Sequence, residues 1–154
     1  MTDTSLPALP DPELPATGGK SVKFSELRGK KLVLYFYPKD NTPGCTNENR
    51  DFGALYADFT AAGCVVFGIS RDSLKSHDNF KAKLELPFDL LSDADEAVCQ
   101  AFQVIKMKTM CGRQVRGIER STFVFGVDGK LARAWRGVKV PGHAQEVLAF
   151  ARTL

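Results

Sequence analysis

The chain has 154 residues, 44% of them apolar and 25% charged, with a net charge of +3; this fits a single soluble domain, residues 1–154, with a real core. The charge is interspersed, which argues against a nucleic-acid partner, and no apolar run reaches the roughly 18–20 residues of a membrane span.

Met1-Thr-Asp-Thr lacks the basic start and apolar run of a signal peptide, so the expected location is cytoplasmic. Residues 1–19 contain Pro7, Pro10, Pro12 and Pro15 and end in Gly18-Gly19, which predicts an extended arm along the surface and then a turn. Lys31 to Tyr37 is nearly continuous in apolar residues and predicts a central strand buried on both faces. Thr46 to Ala62 places Phe52, Leu55, Tyr56 and Phe59 at helical spacing, with Gly63 as the stop. Cys64 to Ile69 reads as a second buried strand. Ser73 to Leu84 reads as a helix with Leu74, His77, Phe80 and Leu84 in one stripe, and Phe88 to Leu91 as a short strand.

Ser92 followed by Asp95 resembles a capping box opening a helix through Phe102. The densest basic stretch, Lys106 and Lys108 through Arg113 to Arg116, reads as a solvated loop. Ser121–Val127, the Asp128-Gly129 turn and Lys130–Arg136 predict a hairpin, and His143 to Arg152 a closing helix. The alternation predicts an α/β fold: one mixed central β-sheet flanked by helices on both faces. Ligands of such sheets gather at the carboxyl ends of the strands, where the segment after Tyr37 emerges.

That segment, Pro38-Lys-Asp-Asn-Thr-Pro-Gly-Cys45, carries the chemistry. A helix beginning there points unpaired N–H groups at one sulfur and favours its anion. Thr42 offers a hydroxyl to the same space, Pro38 and Pro43 stiffen the loop, and Gly44 permits close backbone approach. The remaining cysteines read differently. Cys64 and Cys99 fall on core faces and Cys111 in an exposed Thr-Met-Cys-Gly loop. In a reducing compartment they are thiols rather than structural disulfides. Metal ligation is poorly served, because there is no Cys-x-x-Cys and His77 and His143 are far apart.

The stretch YFYPKDNTPGCTNE, with SVKFSELRGKKLVLYFYPKD before it and ISRDSLKSHDNF and GIERSTFVFGVDGKLARAWRGVKVPGHAQEVL after it, closely resembles peroxiredoxins of the bacterioferritin comigratory protein branch, also called peroxiredoxin Q. The resemblance spans nearly the whole chain. It implies a thioredoxin-like fold and thiol-dependent reduction of hydrogen peroxide and organic hydroperoxides, without a cofactor, with thioredoxin, glutaredoxin or a small thiol as reductant. It implies that Cys45 is the peroxidatic cysteine, oxidised to a sulfenic acid. Thr42 would hydrogen-bond sulfur and peroxide, Pro38 would shield the sulfur, Arg120 would stabilise the thiolate and polarise the peroxide, and Glu48 would orient Arg120. Such proteins are monomers or weak dimers.

The two positions where relatives carry a resolving cysteine are occupied by Arg50 and Lys81. The expectation is therefore a one-cysteine cycle, with resolution by Cys111, or less readily Cys99, as the alternative. Three rivals remain. A dithiol oxidoreductase needs a second cysteine beside Cys45, where Thr46, Asn47 and Glu48 supply none. A cysteine hydrolase needs His77 or His143 as base. A peroxide sensor needs no turnover at all.

Overall fold

Leu32, Leu34 and Phe36 feed one apolar cluster while Val33, Tyr35 and Tyr37 feed another. This is the period-two signature of a strand covered on both faces. The strand is β3 (Lys31–Phe36), the centre of a computed structural model that describes residues 13–154. It pairs in parallel with β4 (Cys64–Ser70) and antiparallel with β8 (Ser121–Phe125). Among the described residues seven strands join one sheet, in the order β2-β1-β5-β4-β3-β8-β9, where β1 is Leu14–Ala16, β2 Lys20–Val22, β5 Leu90–Ser92 and β9 Leu131–Arg136. A separate ribbon pairs β6 (Ile105–Met110) with β7 (Arg113–Ile118). Helices α1 (Pro43–Ala54), α2 (Tyr56–Ala61), α3 (Leu74–Leu84) and α5 (His143–Ala151) fill one layer through Phe52, Phe59, Phe80 and Val147. The short α4 (Ala97–Ala101) covers the other face with Val98 and Cys99. The mixed sheet with helices on both faces is thus the thioredoxin-like architecture anticipated from the sequence.

Several local expectations are corrected. The first part of the expected arm, with Pro7, Pro10 and Pro12, lies outside the described residues. Leu14 and Ala16 are buried in a strand of the main sheet rather than laid along the surface, because alternation turns both side chains inward around exposed Pro15. The single helix expected over 46–62 starts earlier, at Pro43, and breaks at Leu55 (φ −99°, ψ 4°). The Leu55 N–H is shared between Asp51 O (3.3 Å) and Phe52 O (3.2 Å), which tightens the last turn of α1 and ends it.

Ser92 caps nothing; its hydroxyl donates to Asp72 O at 2.7 Å. Asp93 takes the capping role instead, accepting from the N–H groups of Val98 (3.2 Å) and Cys99 (2.7 Å). The basic stretch 106–116 is not a loop but the β6–β7 ribbon, closed by Cys111 (φ 52°) and Gly112 (φ 77°), a pair of left-handed residues suited to a tight hairpin turn.

Gly68 is required by packing. A Cβ there would lie 2.7 Å from the Tyr35 ring and 2.8 Å from Leu90, since β4 passes directly under the phenol of Tyr35. Gly68→Ala is expected to destabilise the fold by about 1–3 kcal/mol through overpacking, read as a fall in the denaturant midpoint; an unchanged midpoint would show that Tyr35 can move aside.

Candidate active site at the carboxyl edge of the sheet

Parallel β3, β4 and β5 end at Phe36, Ser70 and Ser92 on one edge of the sheet. Antiparallel β8 begins there, with Ser121 opposite Phe36. Topology alone therefore brings the loop after β3 next to Arg120. Thr42 is the N-cap of α1 (φ −92°, ψ 151°), Pro43 is at N1, Gly44 at N2 and Cys45 at N3. The first helical bond runs from Thr46 N to Thr42 O at 2.8 Å, leaving the N–H groups of Gly44 and Cys45 outside the ladder. The Thr42 hydroxyl does not cap the helix; it donates to Lys39 O at 2.8 Å and closes the loop on itself.

Arg120 forks between two groups of α1. One terminal nitrogen lies 3.5 Å from Cys45 Sγ and the other donates to Glu48 Oε1 at 2.6 Å. Cys45 is 1% exposed and Glu48 likewise 1%. Gly44 permits the approach, since a Cβ there would stand 3.3 Å from the Arg120 nitrogen that faces the sulfur. Burial pushes the Glu48 carboxyl up to about 7, against the opposing pull of Arg120. Burial alone would lower Arg120, but Glu48 and Cys45 outweigh it and hold the guanidinium charged. Among the described residues, Glu48 Oε2 has no hydrogen-bond partner.

Three supports of this site escaped sequence reasoning. Tyr35 OH donates to Asn49 Oδ1 at 2.5 Å, and Asn49 Nδ2 donates to Cys45 O at 2.8 Å. Burial, reinforced by nearby Glu48, Asp40 and Cys45, pushes the Tyr35 hydroxyl well above its ordinary range, so it remains a donor. The chain of bonds pins the first turn of α1 to β3. Asp40 anchors the loop upstream: its carboxylate meets Tyr37 OH (2.6 Å), Ser76 Oγ (2.8 Å) and His77 Nδ1 (2.8 Å). Its N–H donates to Asp72 Oδ2 at 2.9 Å. Asp40, Asp72 and His77 bring ligand-type atoms within 4.8 Å of one another. Those atoms are already engaged, with Ser70 on Asp72 and Leu91 O on His77 Nε2, so the cluster is a structural knot rather than a metal cage. Finally, His143 Nε2 meets Thr122 Oγ1 at 2.8 Å, joining the head of α5 to β8 two residues beyond Arg120. No alternation or spacing pattern signals these pairings.

The other expected residues are dispersed. Pro38 is half-buried at the end of the strand region and Pro43 exposed. Cys64 lies at the amino end of β4, opposite Lys31, away from the site edge. Cys99 packs in the other layer across the sheet, where burial and then Asp93 push its thiol far up. Cys111 is exposed at the ribbon tip. Arg50 is exposed, and Lys81 is bound to Asp89 Oδ1 at 2.8 Å.

Residues 7–134 match the AhpC/TSA family. The chain belongs to that family. It is 55% identical to Peroxiredoxin Bcp of Xanthomonas campestris pv. campestris over 152 residues, covering 97% of this chain and 95% of the relative. It is 47% identical to Peroxiredoxin Bcp of Bacillus subtilis over 139 residues, covering 90% of this chain and 88% of the relative. The structure of the Xanthomonas campestris Bacterioferritin Comigratory Protein, solved as trapped intermediate and ligand complexes for its alkyl peroxide reduction, superposes with a TM-score of 0.93 at 51% identity, over 99% of this chain and 98% of that one. This peroxiredoxin is thus a peroxidase by class, and no helix among its described residues is long and apolar enough to cross a membrane.

Two measurements follow from this geometry. Asn49→Ala strands the Tyr35 hydroxyl in the core and removes the side-chain bond to Cys45 O, and is expected to cost about 1–3 kcal/mol of stability; no loss in denaturant unfolding would mean the pin carries no weight. Burial lowers the His143 imidazole to about 4 from an ordinary 6.5. Between those values the folded protein binds fewer protons at His143 than the unfolded chain, so this group's contribution to stability rises with pH across that window and is lost as pH falls through it. His143→Gln removes that slope, and the wild-type minus variant stability should climb from pH 4 to 6.5; a flat difference contradicts the assignment.

Proposed function

We propose that the protein reduces hydrogen peroxide and organic hydroperoxides at Cys45, and that this thiol is recycled by an external thiol reductant, thioredoxin or another. The observation that carries the reading is the Arg120 guanidinium 3.5 Å from a nearly fully buried sulfur in the first turn of a helix. Breaking an O–O bond with sulfur needs a nucleophile, alignment of the peroxide behind it and stabilisation of charge on the leaving oxygen. The N-terminal N–H groups of α1 and the guanidinium supply positive potential at the sulfur. Thr42 supplies a hydroxyl for the peroxide once it releases Lys39 O, Pro38 and Pro43 fix the loop, and Gly44 leaves room for Arg120. The alkyl peroxide reduction of the Xanthomonas relative supports including organic hydroperoxides among the substrates.

The recycling step is proposed as a one-cysteine cycle in a single cytoplasmic domain. Support comes from Arg50 and Lys81 where resolving cysteines are expected, from Cys99 packed across the sheet, and from Cys64 at its far end. A sulfur 1% exposed is out of reach of another protein's thiol, so the first turn of α1 opens before reduction. Cys111 is the alternative resolving group, favoured by its exposure on the ribbon tip.

Cys45→Ser is expected to abolish peroxide consumption, whereas Cys64→Ser and Cys99→Ser retain most of it. Intact mass after one equivalent of hydrogen peroxide separates the cycles: a dimedone-trappable sulfenic acid supports the external thiol, and loss of two hydrogens that Cys111→Ser prevents supports the internal one. An active Cys45→Ser variant refutes the assignment.

A further inference from the structure

Glu48 is a carboxyl group sealed from solvent, with one oxygen on Arg120 and the other on nothing in the described protein. A carboxylate whose sole duty was to orient a guanidinium would not need the bare oxygen, and burying it unpaired is costly. A proton on Oε2 removes the buried negative charge, the larger part of that cost, without disturbing the Arg120 bond to Oε1. The same guanidinium carries the sulfur on its other arm, so acid and nucleophile stand side by side on one fork. Among the described residues Arg120 is the cation that acts on both Cys45 and Glu48, so the three groups are together neutral when Cys45 and Glu48 hold one anion and one proton between them. A second anion there would be uncompensated.

Resting on the peroxidase reading, we propose that Glu48 is a catalytic acid: it holds the proton given up by the Cys45 thiol and delivers it to the oxygen that leaves when the peroxide bond breaks. The sulfur lone pair forms an S–O bond to the proton-bearing oxygen of R–O–O–H, and the O–O bond breaks with its electron pair on the other oxygen. That oxygen takes the Glu48 proton and departs as R–OH. Sulfur is oxidised to sulfenic acid, the peroxide is reduced to alcohol or water, and Glu48 is left as the carboxylate paired with Arg120. The site is neutral before the step (thiolate, guanidinium, carboxylic acid) and after it (sulfenic acid, guanidinium, carboxylate). A buried carboxyl that titrates near neutrality suits this duty, because a general acid works best with a pKa near the working pH. The ionisable groups acting on Glu48 are Arg120 just before β8 and Asp51 on α1, and Tyr35 on β3 feels its charge in turn; Cys45 meets it through the shared guanidinium. Asp51 pushes the carboxyl the same way as burial.

The test uses leaving groups of different basicity. In Glu48→Gln the amide oxygen still accepts from Arg120, but no acidic proton remains. Hydrogen peroxide and tert-butyl hydroperoxide, whose leaving oxygens need a proton, should oxidise Cys45 of this variant roughly a hundred-fold more slowly. Peracetic acid, which expels acetate, should react at nearly the wild-type rate, and iodoacetamide should alkylate Cys45 within about two-fold of wild type. Equal losses with all three oxidants, or full activity with the hydroperoxides, overturns the inference and leaves Glu48 as an orienting group. The wild type gives a second reading that does not depend on the variant folding. Its hydroperoxide rate, divided by its alkylation rate, should decline as pH rises through about 7. The same ratio for peracetic acid, corrected for ionisation of the peracid, should stay level. Two level ratios overturn the inference. A wild-type protein whose Cys45 no hydroperoxide oxidises removes the peroxidase reading itself.

Discussion

One guanidinium serves two groups of the same helix turn. Arg120 reaches Glu48 at 2.6 Å and Cys45 at 3.5 Å from the first position before β8, and both partners are shut away from water. In such a place charge cannot be spread into solvent, so position decides everything: the cation must be fixed, and the groups around it must not outnumber it in opposite charge. Much of the surrounding structure serves that requirement. Antiparallel pairing of β8 with β3 sets where Arg120 leaves the sheet. Gly44 clears the space for its nitrogen, and the backbone of Val138 bonds Arg120 O at 3.0 Å to hold the strand's start.

The helix that carries the sulfur is weak by its own chemistry. Its residues include Gly44, Asn47, Asn49 and Gly53, all poor helix formers, and it breaks after twelve residues. Tertiary bonds hold it instead. The Tyr35 ring stacks on Phe52 at 4.3 Å while its hydroxyl reaches Asn49, so one side chain of β3 grips α1 by both its apolar face and its polar tip. A helix fixed from outside rather than by propensity can lose its first turn while keeping the rest of its seat.

The parts of this architecture visible in the sequence were those written locally. The apolar runs of β3 and β4 and the Asp-Gly hairpin declare themselves within a few residues, and so does a helix opening near Cys45, though its first turn begins at Pro43 rather than Thr46. The break at Leu55 did not, because a shared N–H at a helix end leaves no mark in apolar spacing. Sequence alone does not separate Asp93 from Ser92 as the cap, since both are good caps and only the path of β5 decides between them. The ribbon is hidden in the sequence because its charges outweigh its alternation. Arg120 is far from Cys45 in sequence, and only the family resemblance pairs the two before the fold is seen. The Tyr35–Asn49 pin and the Asp40–His77 knot are pairings of ordinary-looking core residues that only the folded chain brings together.

The Asp40 knot also sets a leash. His77, Ser76 and Tyr37 grip its side chain, and Asp72 its N–H, so the chain upstream of the sulfur is moored to α3 and to the loop between β4 and α3. Cys45 follows five positions later, and five residues drawn out straight reach no more than about 18 Å. However far the turn uncoils, the backbone of Cys45 travels within a sphere of that radius about a fixed point, and the sulfur reaches only one side chain beyond it. Any thiol that is to meet it must come within that reach, which confines the meeting place to one rim of the molecule.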